Sequence, residues 1–162
     1  MQKIVTFLWF NDQAKEAVDL YVSLFENAKI INTSYLTESV AKAAGKKPGD
    51  LSTIDFELNG QNFTALNGGP MFTFNEAISI VVNCKTQAEI DNLWEALSEG
   101  GEQVSCGWLK DKYGLTWQIV PESLDIMMRD PDTAKADRVS AAMLSMDKLI
   151  ISELEKAFNN AE

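Results

Sequence analysis

The sequence has no histidine at all. That absence removes Ser-His-Asp triads, Cys-His dyads, His-ligated zinc and the two-His facial triad of non-haem iron together. Cysteine is nearly as scarce, with only Cys84 and Cys106. Two thiols are too few for the disulfide framework of a small secreted scaffold, and they read as reduced side chains of a cytoplasmic protein. Basic residues are in deficit: 14 Lys and Arg stand against 24 Asp and Glu, a formal charge of −10. Such a field repels phosphate backbones and anionic lipid, and no local basic patch offsets it. Neither nucleic acid nor a membrane surface is therefore an expected partner. Long apolar runs are missing too, and none approaches bilayer-spanning length. The run from Ile4 to Phe10 follows a single lysine, is short for a signal-peptide core and precedes no small-residue cleavage site.

What remains is an ordinary globular composition: 162 residues, 46% hydrophobic, 23% charged and 9% aromatic. This suits one domain, or two similar halves sharing a core. Residues 3–10 are rich in β-branched and aromatic side chains and predict a buried strand. Asn11 and Asp12 offer an N-cap for a helix over about 13–25, with Ala14, Ala17, Val18, Tyr21, Leu24 and Phe25 at helical spacing. Ile30 to Leu36 predicts a second strand, and 37–50 a loop containing Gly45, Pro48 and Gly49. Residues 51–58 alternate, with Ile54, Phe56 and Leu58 on one face and Thr53, Asp55 and Glu57 on the other. Asn59-Gly60 is a strong hairpin signal, and 61–67 returns as the next strand.

The pattern then restarts. Ala77 to Val82 predicts a strand, and Thr86 caps a helix over about 87–98 that presents Ile90, Leu93, Trp94 and Leu97. One or two strands fall within 102–110, Asp111-Lys112-Tyr113-Gly114 turns, and 115–120 closes the unit. Three helical segments follow, at 123–128, after Pro131, and at about 147–159. A shift of 73 positions lays Ala17 on Ile90, Leu20 on Leu93, Tyr21 on Trp94 and Leu24 on Leu97. The inference is an internal duplication of a βαβββ unit, an α+β architecture, with units at 1–70 and 71–122 and a helical tail at 123–162.

The segments Leu66-Asn67-Gly68-Gly69-Pro70, Phe74-Asn75-Glu76-Ala77-Ile78-Ser79 and Cys106-Gly107-Trp108-Leu109-Lys110-Asp111, together with Ala142-Met143-Leu144, carry a resemblance. They resemble the PhnB-like branch of the vicinal-oxygen-chelate superfamily, which includes glyoxalase I, extradiol dioxygenases and bleomycin-resistance proteins. The resemblance implies two βαβββ modules forming a glyoxalase-like cup, and commonly a homodimer. Proteins of this branch are often labelled 3-demethylubiquinone 3-methyltransferase-like. A methyltransferase using S-adenosylmethionine typically has a Gly-rich strand-to-helix turn, yet the chain contains no Gly-x-Gly and its element order builds no doubly wound sheet.

The resemblance also implies four metal positions, on the first and last strand of each module. Carried over, they fall near Val5, near Ala65, on Ile78 and on Gln118, and a one-residue slip offers Thr6 and Ser79. Three apolar side chains and one amide do not hold a catalytic divalent ion, so neither metal nor other cofactor is expected.

The candidate ligand-binding residues are Trp9, Asn67, Glu76, Cys106, Trp108 and Gln118. Strand alternation places 106, 108 and 110 on one face, where Lys110 could activate the Cys106 thiol; core packing of Cys106 and Trp108 is the alternative. Asp55 and Glu57 offer either an acid–base pair or a solvated edge. Glu76 either binds ligand or caps the turn at Asn75. Phe7, Phe63, Phe72 and Trp117 join Trp9 as an apolar pocket wall or pack in the core. The expected function is metal-free binding of a small, partly aromatic or apolar molecule in the inter-sheet cavity. Alternatives are a glyoxalase/dioxygenase-type enzyme and a dimeric interaction protein acting through its tail.

Overall fold

β-Branched and aromatic residues at the start of the chain form β1 (Thr6–Phe10), which leads into α1 (Ala14–Leu24). The structure is a computed structural model and describes residues 3–160. β2 (Ala28–Tyr35), α2 (Glu38–Ala44), β3 (Leu51–Leu58) and β4 (Gln61–Asn67) complete the first unit. Its sheet runs β1-β4-β3-β2, with β1 parallel to β4 and the other pairs antiparallel. Asn59 and Gly60 both take positive φ, 45° and 84°, as a two-residue hairpin turn between right-twisted strands requires. Leu8, Phe10, Ile54, Phe56, Phe63 and Ala65 are buried with Ala14, Ala17, Val18 and Tyr21 of α1. Phe56 stacks on Phe63, with centroids 5.2 Å apart, and lies 6.4 Å from Tyr21.

Two local expectations change. The segment 37–50 is not all loop: Val40, Ala41, Ala43 and Ala44 allow the short α2, which buries Ala41 and stops at Gly45. Seven residues are too few to show helical periodicity in the sequence. The cap of α1 is not Asn11 or Asp12 either. Asn67, at the end of β4, accepts the Ala14 N–H at 2.9 Å.

The second unit repeats the plan. β5 (Ile80–Cys84), α3 (Gln87–Ser98), β6 (Glu102–Gln103), β7 (Trp108–Lys110) and β8 (Thr116–Pro121) form a sheet ordered β5-β8-β7-β6, again with its first and last strands parallel. The 73-residue shift lays Ala14 on Gln87, the first residues of α1 and α3. Thr86 caps α3 as expected, accepting from Glu89 N at 3.2 Å. Here β6 and β7 shrink to two and three residues. β5 begins at Ile80 rather than Ala77. By contact, the chain divides between Phe74 and Asn75 into two compact units.

The tail is helical as expected: α4 (Glu122–Met128), α5 (Thr133–Leu144) and α6 (Ile151–Asn159). Leu124, Met127, Val139, Leu149 and Leu154 form a small core of their own, backed by Val120, Met143 and Phe158. α6 starts four residues later than its apolar spacing suggests. The preceding backbone is already engaged: Met146 O accepts from Cys106 N and Asp147 O from Gly107 N, each at 2.7 Å. Gln87 completes the attachment, donating to Leu149 O at 3.1 Å and accepting from Ile151 N at 2.8 Å. No helix among the described residues is long and apolar enough to cross a membrane.

Candidate functional site

Alternation divides the second sheet into two faces. Leu109, Trp117 and Ile119 are buried on the side of α3. Trp108, Lys110, Thr116 and Gln118 share the opposite face, because Trp108 pairs in register with Gln118 and Lys110 with Thr116. Val81, in register with Gln118 on the neighbouring strand, joins them. Gln118 Nε2 donates to Ser79 Oγ at 2.8 Å. Lys110 forms an ion pair with Glu76 and lies 3.9 Å from Glu102. The Lys110 ammonium, through its hydrogen bond first, lowers the Glu76 pKa below the usual carboxylate value, and Glu76 in turn raises that of Lys110. Glu76 therefore answers to Lys110, while the turn at Asn75 is held by the Asn75 side chain, which accepts from Ala77 N at 3.0 Å.

Cys106 does not lie on the strand that carries this face. It sits in the turn between β6 and β7 with φ 61°, followed by Gly107 at 81°. The expected alternation of 106, 108 and 110 fails because residues 104–107 turn rather than extend. Its backbone N–H is fastened to the tail, while Trp108 and Lys110 remain on the open side.

In the first unit, Trp9 lies half-buried on the face opposite α1 with exposed Phe7. Its indole N–H donates to Gly69 O at 2.9 Å, and Phe72 packs edge-on at 4.9 Å. Phe63 and Trp117 are core residues instead of pocket walls; Trp117 is buried beneath its sheet, and its indole N–H donates to Asp111 at 2.9 Å. Asp55 and Glu57 do share a face. Asp55 accepts from Thr64 Oγ1 at 2.7 Å, and Glu57 faces Lys29 at 3.6 Å. Asn67 holds α1 through its side chain, and its carbonyl accepts from Lys46 Nζ at 2.6 Å.

The residues present do not fit the metal that the fold family implies. Val5 and Ile78 carry only hydrocarbon, Ala65 is fully buried on the α1 side, and the Gln118 amide is bonded to Ser79. Hard divalent cations take several oxygen donors, carboxylates above all, and borderline transition metals take imidazoles, thiolates or carboxylates. Among the described residues no cluster of three or more His, Cys, Asp and Glu side chains has metal-binding geometry.

The sequence reading left Thr116 out. Its side chain is 2% exposed, and its Oγ1 has no hydrogen-bond partner among the described residues. The signal was available, since position 116 alternates with 118. Two shallow concavities of about 590 and 570 Å³ run along α3 and β6, lined by Glu95, Ser98 and Gln103 among others. They contain none of the six candidate residues.

The family model described as 3-demethylubiquinone-9 3-methyltransferase matches residues 2–120. Among solved structures, the PhnB protein from Bacillus cereus is 36% identical with a TM-score of 0.66; the match covers 74% of this chain and 99% of that one. Protein PA1353 from Pseudomonas aeruginosa is 20% identical with a TM-score of 0.59, covering 75% and 98%. A glyoxalase/bleomycin resistance protein from Albidiferax ferrireducens T118 is 14% identical with a TM-score of 0.46, covering 74% and 98%. No curated protein matches the chain. Helices α4–α6 lie beyond the residues of the family match. A family model matched over residues 2–120 and a 36%-identical PhnB relative agree, and the chain belongs to the PhnB-like family described as 3-demethylubiquinone-9 3-methyltransferase.

Proposed function

We propose that this protein binds a small, partly aromatic or apolar molecule against the open faces of its sheets, without a metal. The observation that carries the reading is the second unit's open face, where half-buried Trp108 stands in register with Gln118 beside exposed Val81. An indole next to an amide and a hydroxyl suits a flat ligand with one polar end. Trp9, fixed by Gly69 and Phe72, offers a second such surface on the first unit. The family description does not decide the activity, since the chain lacks a Gly-rich nucleotide-binding turn.

A thermal-shift screen of aromatic metabolites and antibiotics tests the reading, followed by fluorescence titration of each hit against the native protein and Trp108→Phe. Binding that weakens in the variant supports it; hits that bind both proteins alike place the ligand elsewhere. Stoichiometric Fe, Mn, Ni or Zn in the purified protein would overturn the metal-free part. A cytoplasmic homodimer completes the proposal, supported by two unpaired cysteines and by exposed Phe7, Ile78 and Leu144. Light scattering at twice the chain mass is expected, and a particle of one chain mass overturns the dimer.

A further inference from the structure

We propose that the open face of the second sheet contains a carboxylate subsite, which Glu76 fills from within the chain, and that the small molecule carries a carboxylate. This rests on the binding reading above and adds the ligand's chemical class. Strand β8 lies between β5 and β7. Thr116 is in register with Lys110 on one side, and Ser79 directly precedes the pair Ile80–Trp117 on the other. The Glu76–Lys110 ion pair therefore joins the segment before β5 to β7, spanning β8 at the level of Thr116. Thr116, on the open face, is 2% exposed. Its hydroxyl projects from the same face as the Lys110 side chain and lacks a partner among the described residues. Buried hydroxyls are nearly always satisfied, so an unpartnered one beneath an ion pair marks a place for another acceptor.

A carboxylate has two oxygens for this geometry. One takes the Lys110 ammonium and the other accepts from Thr116 Oγ1, while the apolar body rests against Trp108. Glu76 shows that a carboxylate fits against Lys110, and an incoming carboxylate would displace it. The Glu76 side chain is 60% exposed, in a segment without regular structure. A dianion is disfavoured, because Glu102 is 3.9 Å from Lys110 and the chain carries −10.

The probes are phenylacetate and its neutral isostere phenylacetamide, titrated into the full-length protein and Glu76→Gln by amide and indole NMR. Phenylacetate is expected to move the Trp108, Thr116 and Gln118 resonances and to bind Glu76→Gln about fivefold tighter or more, the competing carboxylate being gone. Thr116→Val is expected to weaken it several-fold and Thr116→Ser to restore it, with circular dichroism confirming that both fold. Equal binding of acid and amide in both proteins, or weaker phenylacetate binding by Glu76→Gln, overturns the carboxylate subsite and leaves the aromatic-ligand reading standing. Failure of both probes to move Trp108 in either protein overturns both.

Discussion

Asp111 holds the hairpin that sets the register of the candidate site, and its removal has a calculable cost. The side chain is 3% exposed. Its carboxylate accepts from Tyr113 N at 2.9 Å, Leu115 N at 3.0 Å and the Trp117 indole at 2.9 Å. Asp111→Ala strands two buried donors, those of Leu115 and Trp117, while the half-buried Tyr113 N–H regains water. A buried donor without a partner costs about 1–3 kcal/mol, so the expected loss for two is about 2–6 kcal/mol. That is a large share of a typical domain's stability of about 5–15 kcal/mol. Asp111→Asn keeps an acceptor for the turn but turns an amide N–H toward the indole, for an expected loss of about 1–3 kcal/mol. Trp117→Phe removes that conflict, so the double variant should lose less than the sum of the two singles. Urea denaturation followed by far-ultraviolet circular dichroism measures the native protein and the four variants. A loss below about 1 kcal/mol for Asp111→Ala, or equal damage from the Asn variant, would refute the reasoning.

Other expectations follow from particular positions. Leu154 is fully buried in the tail core, so Leu154→Ala should cost about 2–5 kcal/mol in the same assay; a loss under 1 would mean that the core contributes little. Cys106 occupies a left-handed conformation that costs a non-glycine residue about 1–2 kcal/mol, so Cys106→Gly should leave stability unchanged or raise it. Clear destabilisation would show that the thiol's packing outweighs that strain. Burial pushes the Cys84 thiol up to about 12, so in Cys106→Ser protein at pH 8 a disulfide reagent should label it only as fast as the chain unfolds; rapid labelling of the native protein contradicts this. The Glu76–Lys110 pair has two pH limits. Because the Glu76 pKa is lowered, its contribution is complete above the ordinary glutamate value and is lost as pH falls through the lowered one. Because that of Lys110 is raised, its contribution is complete below the ordinary lysine value and is lost as pH rises through the raised one. Carboxyl-carbon NMR of Glu76 reads the acid limb, and a midpoint at or above the ordinary glutamate value would refute the pairing.

Local chemistry and periodicity determined the two βαβββ units, the Asn59-Gly60 turn, the Thr86 cap and the helical tail, because each is written in neighbouring residues. The same alternation separated Asp55 and Glu57 from Ile54 and Phe56, and the lack of histidine narrowed the chemistry before any fold was known. Tertiary structure decided what lies across long gaps. Asn67 caps α1 from 53 residues away, Gln87 grips α6 from more than 60, and Lys110 reaches Glu76 over β8. It also placed Cys106 in a turn rather than a strand, and Phe63 and Trp117 in the cores. Alternation fixes which residues share a face only while a strand stays extended. Which face is covered, and which partner a polar group finds, depends on elements that the pattern of one segment does not contain.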